Sequence, residues 1–121
     1  MIECYPGKLN QVFLNIISNA IYAIKKRHPD TDEGQLSIET YHDDAYVYIK
    51  FTDNGTGMDE QTRRRLFEPF FTTKDVGEGT GLGLSIAYNT INKHNGQISV
   101  ESQVGVGTTF IIKLPLVLNT K

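Results

Sequence analysis

The sequence predicts an α+β domain, and three observations carry that reading. Residues 8 to about 27 and 84 to about 95 place apolar side chains at the helical period, and a shorter helix fits between them. Residues 35–42, 45–52, 97–103 and 108–116 read as strands bounded by turn residues. A chain of 121 residues holds one core and leaves little room for a second, so a single domain over residues 1–121 is expected.

Residues 1–5 read as a short extended piece ended by the turn pair Pro6-Gly7. In the first helix, Leu9, Val12, Phe13, Ile16, Ala20, Ala23 and Ile24 fall near one line of a helical wheel. It should stop near His28-Pro29, because proline restricts the residue before it and cannot continue the ladder. Asn15 and Asn19 stand at i and i+4 on the border of the apolar stripe, with Tyr22 and Lys26 continuing the row. After a polar loop at 30–34, Leu36, Ile38 and Thr40 alternate against Ser37, Glu39 and Tyr41. Val47, Ile49 and Phe51 do the same against Tyr46, Tyr48 and Lys50. Asp43-Asp44 between them makes an antiparallel hairpin the simplest arrangement, each strand having one buried face.

The second strand runs into Asp53-Asn54-Gly55-Thr56-Gly57-Met58. Asp59 can cap a short helix to about residue 66, with Glu60 in its first turn complementing the dipole. Phe67 and Phe70, in Phe67-Glu68-Pro69-Phe70-Phe71-Thr72-Thr73-Lys74, read as a core plug. Gly96 is the expected C′ residue of the last helix. Val104-Gly105-Val106-Gly107 joins the last two strands, and Leu114-Pro115 ends their pairing.

Composition excludes several classes. Hydrophobic residues at 39% and charged residues at 21% are ordinary for a globular chain, and a net charge of −2 with no basic stripe argues against a nucleic-acid partner. The single cysteine, Cys4, rules out an intramolecular disulfide and a multi-cysteine zinc site. No apolar run approaches the length of a bilayer span, so a cytoplasmic segment without direct membrane contact is expected.

Gly77-Glu78-Gly79-Thr80-Gly81-Leu82-Gly83-Leu84 places glycine at every second position just before a helix. Such a run lets backbone N–H groups approach a ligand, and the helix start adds unpaired donors and partial positive charge, which suits phosphate; a plain surface loop is the alternative. It fits neither the Walker loop nor the dinucleotide fingerprint. Asp53 ends a strand just before two glycines that would leave space for a flat ligand, although Asp-Asn-Gly is equally a strong turn sequence. The side-chain carbonyls of Asn15 and Asn19 could ligate Mg²⁺ at a pocket edge. Lys74, between the phenylalanines and the glycine loop, could reach phosphate or stand idle at the surface.

Together these pieces make the chain resemble the ATP-binding catalytic domain of sensor histidine kinases, in the superfamily that includes DNA gyrase, the heat-shock chaperone ATPase and the mismatch-repair ATPase. Leu14-Asn15-Ile16-Ile17-Ser18-Asn19-Ala20 resembles the asparagine box, and Asp53 to Met58 the first glycine box. The phenylalanine box is matched by Phe67 to Lys74, and the second glycine box by Gly79 to Leu84. The resemblance implies a two-layer α/β sandwich, the Bergerat fold, with three helices on one face of a mixed sheet. It implies ATP and Mg²⁺ as ligands, with Asn19 on the metal and Asp53 on the exocyclic amine of adenine. Gly55 and Gly57 would shape the base pocket, and Gly79, Gly81, Leu82 and Gly83 would lie in the phosphate-carrying hinge of a lid over residues 72–80. Thr108 would support the adenine site. Tyr22 stands where many members carry a lysine or arginine, a place Lys74 would fill. Thr72-Thr73-Lys74 and the Asn-Ala-x-x-Ala pattern look most like the nitrogen-regulation type.

Hydrolytic members of that superfamily carry glutamate where this chain has Asn15, and asparagine cannot serve as a general base. The implied reaction is therefore phosphoryl transfer to a histidine, or slow turnover, in preference to efficient ATP hydrolysis. His28, His42 and His94 lack the acidic neighbour of a phosphoaccepting histidine and read as structural. The acceptor would lie on a dimerisation domain of a longer parent protein, with a response regulator downstream. The rival readings are a serine kinase of the anti-sigma-factor type and a non-catalytic nucleotide-binding module.

Overall fold

In the computed structural model, the described residues are 6–68 and 83–116. The expectations for Cys4, Phe70, Lys74, Gly79, Gly81, Leu82 and the lid lie outside them. Helix α1, Pro6–Arg27, buries Leu9, Val12, Ile16 and Ala20 on one face. Lys25, Lys26 and Arg27 in its last turn complement the negative end of its dipole. His28 still donates its N–H to the Ile24 carbonyl at 2.8 Å before Pro29 ends the ladder.

Strands β1, Leu36–His42, and β2, Tyr46–Asp53, form the expected hairpin. Its turn is organised by Asp43, whose carboxylate accepts the N–H groups of Ala45 and Tyr46 and the hydroxyl of Tyr48 at 2.7–2.9 Å. Those donors, the Ala45 N–H foremost, hold the carboxyl below its ordinary value. The short helix α2, Glu60–Arg65, is capped by Asp59, which accepts the Thr62 N–H at 2.7 Å. Helix α3, Gly83–Lys93, leads into strands β3, Gln97–Gln103, and β4, Gly107–Pro115.

The sheet order is β1-β2-β4-β3. The resemblance implies a mixed sheet; among the described residues every pairing is antiparallel, because both hairpins are antiparallel and β2 meets β4 in the opposite sense. The core fills the space between α1, α3 and one sheet face, built from Val12, Ile16, Phe51, Ala87, Ile91, Phe110, Ile112 and Leu114. Phe67 plugs its edge, with its ring centroid 5.2 Å from that of Tyr88 and 6.4 Å from that of Phe110. Among the described residues no helix is long and apolar enough to cross a membrane.

Two local expectations are corrected. Strand β1 has no buried face: Leu36 is half-buried and Ile38 remains 50% exposed, because β1 is an edge strand that contributes nothing to the buried core. The left-handed residue that ends α3 is Asn95, at φ 60°, rather than Gly96. Asn95 donates to the Asn92 carbonyl at 3.0 Å and Gly96 to that of Ile91 at 2.9 Å, the paired bonds of a Schellman motif. Asn95→Ala should therefore cost about 1 kcal/mol through the left-handed backbone penalty, while Asn95→Gly should not destabilise. The midpoints of urea unfolding for the two variants check this directly.

Candidate functional site

At one end of β2 and β4 the helix-covered face turns from apolar to polar. Phe51 pairs with Phe110, and two residues further along Asp53 pairs with Thr108. Period-two alternation sends both side chains to the face that carries the core, and both are buried, at 6% and 7% exposure. Asp53 Oδ1 accepts the Gly55 N–H at 2.8 Å, and the backbone N–H of its ladder partner Thr108 also favours the ionised form. Burial nevertheless pushes the carboxyl above its ordinary value, and the two backbone donors oppose that rise only in part. No cation pairs with Asp53 among the described residues. A carboxylate has about four lone-pair sites, so two donors leave it able to accept more.

Around Asp53 the chain is tied to itself. Ser102 Oγ accepts the Met58 N–H at 2.8 Å, donates to the Gly107 carbonyl at 3.1 Å, and lies 2.7 Å from Thr108 Oγ1. The reading of the sequence missed Ser102; the available signal was a hydroxyl continuing the inward series Ile98, Val100 on β3. The two glycines of the loop also sit against the protein's own chain. A Cβ on Gly55 would lie 2.6 Å from the Cβ of Ala23, and one on Gly57, at φ 72°, would run into the Gln103 carbonyl. Their missing side chains admit Ala23 and the Gln103 backbone. Gly105 N–H bonds the Thr56 carbonyl at 2.9 Å and completes the tie.

Helix α1 supplies the remaining wall. Asn15 Nδ2 donates to the Gly83 carbonyl at the start of α3 at 3.0 Å, and Gln11 Nε2 donates to Asn15 Oδ1 at 3.4 Å. Two turns later on the same row, Ala23 meets Gly55. Asn19 lies midway between these contacts, half-buried, and its amide makes no hydrogen bond among the described residues. Tyr22 is also half-buried, with Lys26 Nζ 5.8 Å from its ring centroid. No group of three His, Cys, Asp or Glu able to hold a metal occurs among the described residues. A single neutral amide oxygen suits Mg²⁺, which keeps waters and substrate phosphates as its other ligands. The structure thus gathers Asp53, Gly55, Gly57 and Thr108 at one sheet end and joins Asn15 to Gly83; Lys74, Gly79, Gly81 and Leu82 lie outside the described residues.

Residues 4–118 match the family described as histidine kinase-, DNA gyrase B-, and HSP90-like ATPase. The chain is 44% identical to sporulation kinase E of Bacillus subtilis over 99% of its length, and 40% identical to the sensor histidine kinase ZraS of Escherichia coli over 99%. It spans 15% and 24% of those relatives' own lengths. Among solved structures, the catalytic domain of histidine kinase ThkA in a nucleotide-free form superposes with a TM-score of 0.77 at 31% identity, covering 94% of this chain and 71% of that one. A mycobacterial sensor histidine kinase, MprB, superposes with a TM-score of 0.79 at 27% identity, covering 94% and 76%.

The Ser102 hydroxyl gives the Met58 N–H its partner, so Ser102→Ala should destabilise the chain by about 1–3 kcal/mol, the cost of leaving a part-buried donor unmet. Urea unfolding measures it; an unchanged midpoint would show that water takes over the role.

Proposed function

Because the chain belongs to the histidine kinase-, DNA gyrase B-, and HSP90-like ATPase family, we propose that it binds Mg-ATP and donates the γ-phosphoryl group to a histidine on the dimerisation domain of a longer, cytoplasmically facing kinase. A response regulator would receive the phosphoryl group next. The observation that carries this reading is the buried carboxylate of Asp53 at a polar sheet end, with no cation paired to it among the described residues. The names of the similar chains, a sporulation kinase and a sensor histidine kinase, support the reaction class.

Asp53 accepts the exocyclic amine of adenine, and Thr108 with Ser102 braces the strand opposite it. Asn19 would hold Mg²⁺ through its amide oxygen, and the ion would supply charge against that of the phosphates. Asn15 is already committed, its NH₂ to the Gly83 carbonyl and its oxygen to Gln11. An amide so placed holds α3 to α1 and cannot take a proton from water, which disfavours hydrolysis and leaves the phosphoryl group for an imidazole nitrogen. In that transfer the bond from the γ-phosphorus to the ADP oxygen breaks as the phosphorus–nitrogen bond forms.

Asp53→Asn should weaken Mg-ATP binding roughly 10–100-fold, the worth of a hydrogen bond to a charged acceptor. Since the folded carboxyl sits above its ordinary value of 3.8, ionising it opposes folding once the pH exceeds that value, and the neutral variant should be no less stable at pH 7 on this account. The amine needs the ionised acceptor, so wild-type affinity should begin to fall on acidification earlier than an ordinary aspartate would allow, a decline that Asp53→Asn should lack. Calorimetry across pH tests both; equal affinity in the two proteins would overturn the site.

Asn19→Ala should reduce the magnesium dependence of nucleotide binding. Titration with and without Mg²⁺ reads this, and unchanged dependence would remove Asn19 from the metal. Incubation with a histidine-bearing dimerisation domain should give an acid-labile phosphoprotein; an acid-stable one would mean a serine acceptor.

A further inference from the structure

Arg27, the last residue of α1, sends one guanidinium nitrogen to three backbone carbonyls on two separate loops. Its Nη1 lies 3.1 Å from the Asn54 oxygen, 3.3 Å from that of Gly55 and 3.0 Å from that of Val106. His28 Nε2 adds a contact of 3.2 Å to the same Asn54 oxygen. Nothing in the proposed reaction calls on Arg27, yet each carbonyl it holds leads back to Asp53.

The Asn54 carbonyl and the Gly55 N–H belong to one planar peptide unit and point in opposite directions across it. Arg27 grips the carbonyl side, and the N–H side donates to Asp53 Oδ1 at 2.8 Å. Were that peptide to rotate, its oxygen would face the carboxylate and repel it. A cation on the carbonyl also polarises the peptide and strengthens the N–H bond at its far side. The third carbonyl, Val106, sits in the turn that feeds Gly107-Thr108, and Thr108 pairs with Asp53 across the β2–β4 ladder. One side chain therefore braces the peptide whose N–H aims Asp53 and the turn that leads to its partner Thr108.

We propose that Arg27 is a positioning residue for purine recognition, holding Asp53 in the orientation that selects an adenine amine over a guanine carbonyl. This rests on the nucleotide-binding reading above. Arg27 touches no reacting atom; it acts through the peptide at 54–55 and the turn at Val106. Arg27→Met keeps the aliphatic stem and removes the donors, whereas Arg27→Lys keeps charge and donors on a different frame.

The test is binding of ATP and of GTP to the 121-residue chain by calorimetry, with thermal unfolding of each variant alongside. Arg27→Met should lose roughly tenfold in ATP affinity, the size typical when a group supporting a ligating side chain is removed, with GTP little changed, so that the preference narrows by the same factor. Arg27→Lys should recover part of that preference. Unchanged affinity and preference in Arg27→Met would overturn the assignment while leaving the nucleotide site intact. Equal losses for ATP and GTP, with lowered melting and no recovery in Arg27→Lys, would reduce Arg27 to a structural tie. A wild-type chain that does not prefer ATP to GTP would remove the purine reading itself, and Arg27's role with it.

Discussion

The pairing of β2 with β4 is the constraint on which everything else depends. These strands are not consecutive; α2, α3 and β3 intervene before β4 returns to lie beside β2. Their register sets Phe51 against Phe110 and Asp53 against Thr108, so the core and the polar site are successive positions on one ladder. A slip of one residue would turn Phe51, Ile49 and Asp53 to the uncovered face together. Packing of the apolar rungs thereby fixes where the carboxylate ends up, and the burial that stabilises Phe110 is the burial that raises Asp53.

A buried carboxylate is expensive, and among the described residues backbone dipoles, not a countercharge, lower that cost. The Gly55 N–H donates to it, and the peptides on either side of the ladder here are held from behind by Arg27 and Ser102. A salt bridge would have satisfied the charge and used its remaining lone pairs. Dipoles leave capacity for another donor, which is what a carboxylate that meets a ligand amine requires. No buried side-chain polar atom lacks a partner among the described residues, so this opening at Asp53 stands within an otherwise completed network.

Much of this was legible in the sequence wherever a local rule decides the outcome. Proline at 29 set the end of α1, Asp59 capped α2, and Asp43 turned the first hairpin as read. Errors arose where distant contacts decide. The alternation in β1 correctly gave a strand, but whether a helix covers it is a matter of sheet order, which alternation does not encode. Gly96 looked like the helix terminator by propensity, while Asn95 tolerated the left-handed turn and left Gly96 to the following bond. Gly55 and Gly57 were recognised as special for a reason that only the folded chain supplies, since Ala23 and Gln103 lie far from them in sequence. Ser102 and Arg27 carried no motif at all; their importance lies in which backbone groups they reach.

The row Asn15, Asn19, Ala23 on α1 shows how one helix face can serve both stability and chemistry. Its ends are fixed by contacts of opposite kind, an amide on the Gly83 carbonyl and a methyl against Gly55. These hold the start of α3 and the loop after β2 at set positions along the same helix, two turns apart. The middle residue, Asn19, is left half-buried with its amide unbonded among the described residues, so its orientation is free to answer a ligand while its backbone is not. A glutamate at position 15 would give up the donor that now meets Gly83. The same substitution that could create a general base would thus loosen the joint between α1 and α3, and the geometry of that joint favours the amide.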